Sequence, residues 1–260
     1  MASDEPVEQP QETFVSHLIE LRSRLLKAIV AVLIALLCLF PWAKDIYALL
    51  AAPLLQVLPQ GSTMIATDVT GTFLVPLKVT LMAAFLIALP YVLYQMWAFV
   101  APGLYKHERR LMVPLIVSSM VFFLLGMAFA YFLVFPWVFA FFVSYTPTGV
   151  QMMTDIDKYL SFVLWMFVAF GATFEIPVVQ VVLVRLGALT IDKLKSVRRY
   201  VIVGAFVVAA VITPPDVVSQ LMLAIPMCLL YELGIFLARF FPKPPPDTEP
   251  SGEEATQTRD

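Results

Sequence analysis

Charge is scarce in this chain: Asp, Glu, Lys and Arg together make up 14% of its 260 residues, against roughly a quarter in an ordinary soluble domain. Cysteine and histidine are scarcer still, with two of each. Cys38 and Cys228 sit inside apolar runs, where packed or lipid-facing thiols are expected and neither a disulfide framework nor a zinc site follows. His17 and His107 both fall in polar segments, so an intramembrane enzyme would lack the ring its nucleophile–base pair or metal centre needs. GxGxxG, Walker A, HExxH and GxSxG patterns are all absent, which argues against a self-contained pump or protease. No cofactor, no metal and no nucleic-acid partner is expected. No internal repeat is visible, and the two halves differ in loop charge and span length, which argues against an inverted-repeat transporter.

Apolar sequence is what the chain has in excess. Hydrophobic residues are 60% of it, mean hydropathy is +0.86, and 21 Phe, 9 Tyr and 4 Trp add more apolar surface than one soluble core could bury. A water-soluble fold and extensive disorder are excluded, leaving a polytopic, all-α membrane protein. Runs near the ~20 residues needed to span hydrocarbon are Leu25 to Trp42, Phe73 to Tyr94, Leu111 to Trp137 and Tyr159 to Val184. The apolar stretch Tyr200 to Leu237 is interrupted by Thr213-Pro214-Pro215-Asp216, which no straight helix would carry. Two short helices are expected there, giving six spans. Tyr200 to Ile212 is 13 residues, about 20 Å of helix, so a thinned membrane is expected on that side.

Six spans put both termini on one face. With the N-terminus cytoplasmic, 14 of the 17 basic residues lie on the cytoplasmic side, leaving Lys44, Lys78 and Lys158 outside. That distribution predicts cytoplasmic termini. The acidic start and the lack of a small-residue cleavage site predict that no leader is removed. Residues 1–15 read as an acidic flexible segment, 16–241 as the six-helix domain and 242–260, with Pro244-Pro245-Pro246, as a disordered cytoplasmic tail.

Charges within or beside spans each need a reason. Lys78 is placed to snorkel to the outer interface, and Glu232, seven residues before Arg239, to reach the cytoplasmic one. Asp216 reads equally as a turn cap. Glu175 lies deep in the fourth run beside helix-bending Pro177, with no basic residue within a turn of it. A buried acid there costs roughly 3 kcal/mol on an insertion scale. It is read either as reached by a water-exposed concavity or as a protonated packing device. On the cytoplasmic side, Ser16 to Leu25 is an amphipathic start with Leu18, Leu21 and Leu25 on one stripe and His17, Glu20 and Arg24 on another. Glu20 and Arg24 are spaced for a surface ion pair. Glu20 with Glu108, from Tyr105-Lys106-His107-Glu108-Arg109-Arg110, would instead make a site for a ligand with paired arginines. Spacing alone does not bring the two together.

These residues carry a resemblance. His17-Leu18-Ile19-Glu20-Leu21-Arg22, Pro53-Leu54, Ile65-Ala66-Thr67-Asp68, Tyr94-Gln95-Met96-Trp97-Ala98-Phe99, Leu104 to Arg110, Phe174-Glu175-Ile176-Pro177 and Thr213-Pro214-Pro215-Asp216-Val217, in that order on six spans, resemble the TatC family, the core and receptor of the bacterial twin-arginine translocase. The resemblance implies a receptor for the twin-arginine signal peptides of folded precursors, acting with single-span TatA- and TatB-type partners, further TatC copies and membrane lipid in the bacterial inner membrane, and powered by the proton-motive force. It assigns Glu20 and Glu108 to the arginine-binding patch, and Arg22 and Phe99 to its lining, although Phe99 also reads as interface packing. It makes Glu175 the intramembrane acid of a concave face. Pro53 belongs to an outer cap, unless it is simply a loop proline, and Thr213 to Gln220, including Asp216, to the partner-docking region. Val69 to Phe73 and the proline-rich tail depart from the family pattern. The rival from another class is a proton-coupled small-solute carrier built on Glu175, which would need further polar groups at that depth and repeat symmetry; neither is visible in the sequence.

Overall fold

A computed structural model describes residues 10–48, 65–100, 109–144, 155–213 and 216–240. Its elements are helices: α1 (Pro10–Leu39), α2 (Gly71–Val100), α3 (Arg109–Phe129), α4 (Phe135–Ser144), α5 (Ile156–Phe174), α6 (Ile176–Arg185), α7 (Ile191–Ile212) and α8 (Val217–Ala238). They make six crossings, because two pairs are single bent rods. Between α3 and α4 a π-helical turn, Ala130–Val134, lets the Phe135 N–H reach the Ala130 carbonyl. The register widens one residue ahead of Pro136, which has no N–H to offer. Between α5 and α6 the chain turns at Glu175 ahead of Pro177, yet the Val179 N–H still bonds the Glu175 carbonyl at 2.9 Å.

Five of the crossings are long and apolar enough to span a membrane. The fifth in chain order, α7, is the exception for the reason the sequence gives: its first half carries Asp192, Lys193, Lys195, Arg198 and Arg199, and apolar residues run only from Tyr200. The helix is longer than the apolar segment, however. Both α7 and α8 contain 22 residues, about 33 Å each, so the shortness lies in α7's hydrophobic length and not in its backbone. At the other end of the chain, α1 begins at Pro10, ahead of the amphipathic segment expected from Ser16.

Side chains explain where the helices start and stop. Asp155 caps α5 by accepting from the Asp157 and Lys158 amides, Thr190 caps α7 through the Lys193 amide at 3.2 Å, and Asp216 caps α8 through the Ser219 amide at 2.6 Å. α6 ends at Gly187, whose φ of 72° is the left-handed value that lets the following amides fold back on the last carbonyls.

Packing is tightest where side chains are smallest. A Cβ on Gly126 of α3 would meet the Phe170 carbonyl carbon of α5 at 2.8 Å, and one on Gly171 would meet the Phe123 ring at 2.5 Å. Small residues let helix backbones approach in lipid, where no hydrophobic force drives them together. Around this crossing sits an aromatic core of Phe135, Phe167, Phe170, Val75 and Val79. A second cluster, Leu89, Leu93, Trp97, Phe123, Val178 and Val182, fills the half of the bundle toward the start of α1. By contrast α1 packs mainly on α2 and leaves no residue of its described length fully buried.

Candidate functional site

Glu20 stands on the polar stripe of α1, and the fold settles its first partner. Arg24, one turn on, donates from Nε at 2.9 Å and Nη2 at 2.7 Å, both to Oε1 of Glu20. The remaining arm, Nη1, points to Oε1 of Gln95 on α2 at 3.5 Å. Gln95 is only 5% exposed, so this amide anchors the pair to the bundle wall. On the same stripe His17 stacks on Phe99, with ring centroids 4.4 Å apart and planes at 22°. His17, Glu20 and Arg24 of α1 thus face Gln95 and Phe99 of α2, a short polar seam at one edge of an otherwise apolar interface. Arg22, assigned to the lining of this site, is exposed and makes no hydrogen bond among the described residues.

Glu108 and Pro53 lie outside the described residues, as do Pro214 and Pro215. The approach of Glu108 to Glu20 is therefore not part of the described geometry.

Glu175 is buried, not opened to a concavity. It is 7% exposed, with the Ser119 side chain beside it, and neither carboxyl oxygen closes a hydrogen bond among the described residues. Ser119 is itself held, since its hydroxyl accepts from Trp97 Nε1 at 2.8 Å. Five residues on, Gln180 is 4% exposed with both amide atoms unpartnered, packed against Gly234 of α8. Polar groups do gather at this depth, where the sequence shows none: Ser119, Thr173 and Gln180 are separated from Glu175 in sequence or masked by apolar neighbours. A groove of about 520 Å³ does lie between α1, α2 and α5, but its walls are Val32, Lys78, Phe85, Leu164 and Trp165, not Glu175.

Other charges found partners that periodicity could not give. Lys78 does not simply snorkel: its Nζ donates to Asp157 at 2.6 Å and to Ser161 at 3.1 Å, tying α2 to α5. Glu232 receives Arg198 at 2.5 Å, linking α8 to α7. In the partner-docking region, Asp216 works as a cap, Thr213 turns its hydroxyl back to the Ala209 carbonyl at 2.8 Å, and Gln220 donates to the Phe206 carbonyl of α7 at 3.1 Å. Gln220 is thus an interhelical bond within this chain. On the loop before α2, Thr67 donates to the Asp155 carboxylate through its hydroxyl and, at 3.2 Å, its amide, while Asp68 accepts from the Thr70 amide at 3.0 Å. These bonds hold Asp155 down to a pKa of about 2 and Asp68 below the usual carboxylate range.

Six helical rods, five of them long and apolar enough to cross a membrane, with a carboxylate that holds a guanidinium at one end of the bundle, define a polytopic helical membrane protein. Residues 16–226 match the family model for the Sec-independent protein translocase protein TatC. The TatC protein of Escherichia coli (strain K12) is 55% identical over 230 residues, covering 88% of this chain and 89% of that one; that of Haemophilus influenzae is 46% identical over 249 residues, covering 95% and 97%. A solved structure, the twin arginine translocase receptor TatC, superposes with a TM-score of 0.76 at 42% identity, covering 86% of this chain and 98% of that one. The chain belongs to the TatC family of Sec-independent protein translocase proteins. It is a multi-pass membrane transport protein, not an enzyme, and a component of the Sec-independent Tat translocase.

Proposed function

We propose that this chain is the signal-peptide receptor of the translocase, and that the arginine pair of a twin-arginine signal peptide is read at Glu20 and Glu108, with Phe99 and Arg22 lining the site. The observation that supports this is the Glu20 carboxylate: placed on α1 beside an aromatic stack, it already holds a guanidinium through two N–H···O bonds. A carboxylate that grips a planar fork in this way discriminates arginine from lysine, whose ammonium is a single point of charge. At the membrane edge the effective dielectric is lower than in bulk water, which strengthens the attraction.

The apolar part of the signal peptide then lies in the membrane toward Glu175, the intramembrane polar site. Pro53 belongs to the outer cap, and Thr213, Asp216 and Gln220 mark the region where TatA- and TatB-type single-span proteins dock, with further copies of this chain completing the complex. Both termini face the cytoplasm, and the driving energy is the proton-motive force. The buried polar groups around Glu175 are one of the two features a small-solute carrier would need, but the family match over residues 16–226 favours the translocase reading.

The decisive experiment measures binding of a fluorescent twin-arginine signal peptide to the purified full-length chain in nanodiscs, beside its Lys-Lys version. Tight binding of the Arg-Arg peptide alone is expected. Equal binding of both would overturn recognition by carboxylates at this site.

A further inference from the structure

The seam on α1 holds an arginine of its own. The geometry points to Arg24 as a resident guanidinium that occupies Glu20 in the empty receptor and that an incoming peptide arginine must displace, with Gln95 receiving the displaced side chain. This rests on the proposed role of Glu20 and adds to it a competitor that sets the selectivity.

Three features carry the inference. Arg24 binds Glu20 with the edge of its fork, Nε and Nη2 both reaching Oε1 at 2.9 and 2.7 Å, while Oε2 takes no bond among the described residues. An arriving guanidinium can therefore begin on Oε2 before Arg24 leaves Oε1, which makes exchange stepwise and never exposes a bare carboxylate. Second, Arg24 has somewhere to go. Its Nη1 is already 3.5 Å from Oε1 of Gln95, an amide 5% exposed, at the outer limit of hydrogen-bond distance; a small rotation of the guanidinium converts this marginal contact into a full one. Third, the pair is accessible: its side chains are 22% and 39% exposed for Arg24 and Glu20, so no core rearrangement is required.

The consequence is a particular origin for arginine selectivity. Glu20 and Arg24 together are neutral, so the resting site offers little net attraction to any cation. A ligand is retained only if it replaces two charge-assisted bonds, which another guanidinium does and an ammonium does not. Rejection of lysine then comes from the competitor as much as from the carboxylate, a case of specificity built by a repulsive and competing element.

The test compares Arg-Arg and Lys-Lys peptide affinities for the full-length chain and for Arg24→Gln, Arg24→Lys, Gln95→Leu, Glu20→Gln and the double variant Glu20→Gln/Arg24→Gln, all in nanodiscs of one lipid composition. Arg24→Gln should bind the Arg-Arg peptide about tenfold more tightly, about 1.4 kcal/mol, and gain still more for the Lys-Lys peptide, so that the selectivity ratio collapses. Arg24→Lys should fall between Arg24→Gln and the unaltered chain. Gln95→Leu should weaken Arg-Arg binding when Arg24 is present and change nothing when it is Gln, and the double variant should lose the gain. If Glu20→Gln weakens binding but Arg24→Gln leaves the affinity and the ratio unchanged or lowers the affinity, the resident-guanidinium role is overturned while Glu20 stands. If Glu20→Gln has no effect, or if no variant binds either peptide, the reading of Glu20 itself fails and the inference falls with it.

Discussion

Single residues decide the chemistry of this protein through what they are paired with. Glu20 is a half-exposed carboxylate whose value lies in its fork-shaped partner, so Glu20→Gln should reduce Arg-Arg peptide affinity at least tenfold, about 1.4 kcal/mol, with an unchanged circular dichroism spectrum and thermal midpoint. Asp155 shows the same logic on the opposite face. Its carboxyl is held at about 2 in the folded chain by Thr67 and by the amides at the start of α5, against about 3.9 when unfolded. A depressed folded pKa contributes stability that is complete above about pH 4 and lost as pH falls toward 2. Protection of the Asp157 and Lys158 amides against hydrogen exchange, taken relative to the intrinsic rate at each pH, should therefore fall between pH 4 and 2, and Asp155→Ala should remove it already at neutral pH.

At the scale of helices, contact is set by glycine and by buried polar ties. The Gly126 position on α3 rests on the Phe170 backbone of α5, which cannot yield as a flexible side chain would. Gly126→Val should cost about 1–3 kcal/mol by overpacking, read as a lowered thermal midpoint of the purified protein in detergent. Gly204, with open space around it, is the control and should tolerate Ala without loss. The Lys78–Asp157 bond joins α2 to α5 with both side chains more than a third exposed, so its strength is modest, but its direction is testable. Lys78→Glu should lower the midpoint, and adding Asp157→Lys should restore it.

For the whole molecule the governing quantity is the match between helix length and membrane. α1 exposes much of its apolar surface, packing mainly on α2; in lipid such a helix has a broad face left for other helices. α7 starts with a charged half and offers only Tyr200 to Ile212 as apolar length, about 20 Å of helix against the ~30 Å of a hydrocarbon core. On the proposed orientation, with the N-terminus cytoplasmic, a chain whose Cys38 and Cys228 are replaced by Ala should be labelled at an introduced Ser16→Cys by a membrane-impermeant maleimide only from inside, and at Val69→Cys only from outside. Labelling of both from one side would overturn the crossing by α1, and the reverse pattern would overturn the orientation.

Composition by itself determined the membrane class, the helical fold and nearly every crossing, because spanning hydrocarbon imposes a length and apolarity that one sequence displays openly. It also marked Glu175 as out of place, since a charge among apolar neighbours is visible without coordinates. The chain's own order could not say which groups meet. Arg24 on Gln95, His17 on Phe99, Lys78 on Asp157 and Arg198 on Glu232 join residues 34 to 82 positions apart, and helical periodicity carries no information across such separations. Of the two readings the sequence leaves open for Glu175, the described residues bury its carboxyl beside Ser119 of α3. Only tertiary packing chooses between a solvated acid and a sealed one, since desolvation depends on what lies on every side of a group and sequence reports only its neighbours along the chain.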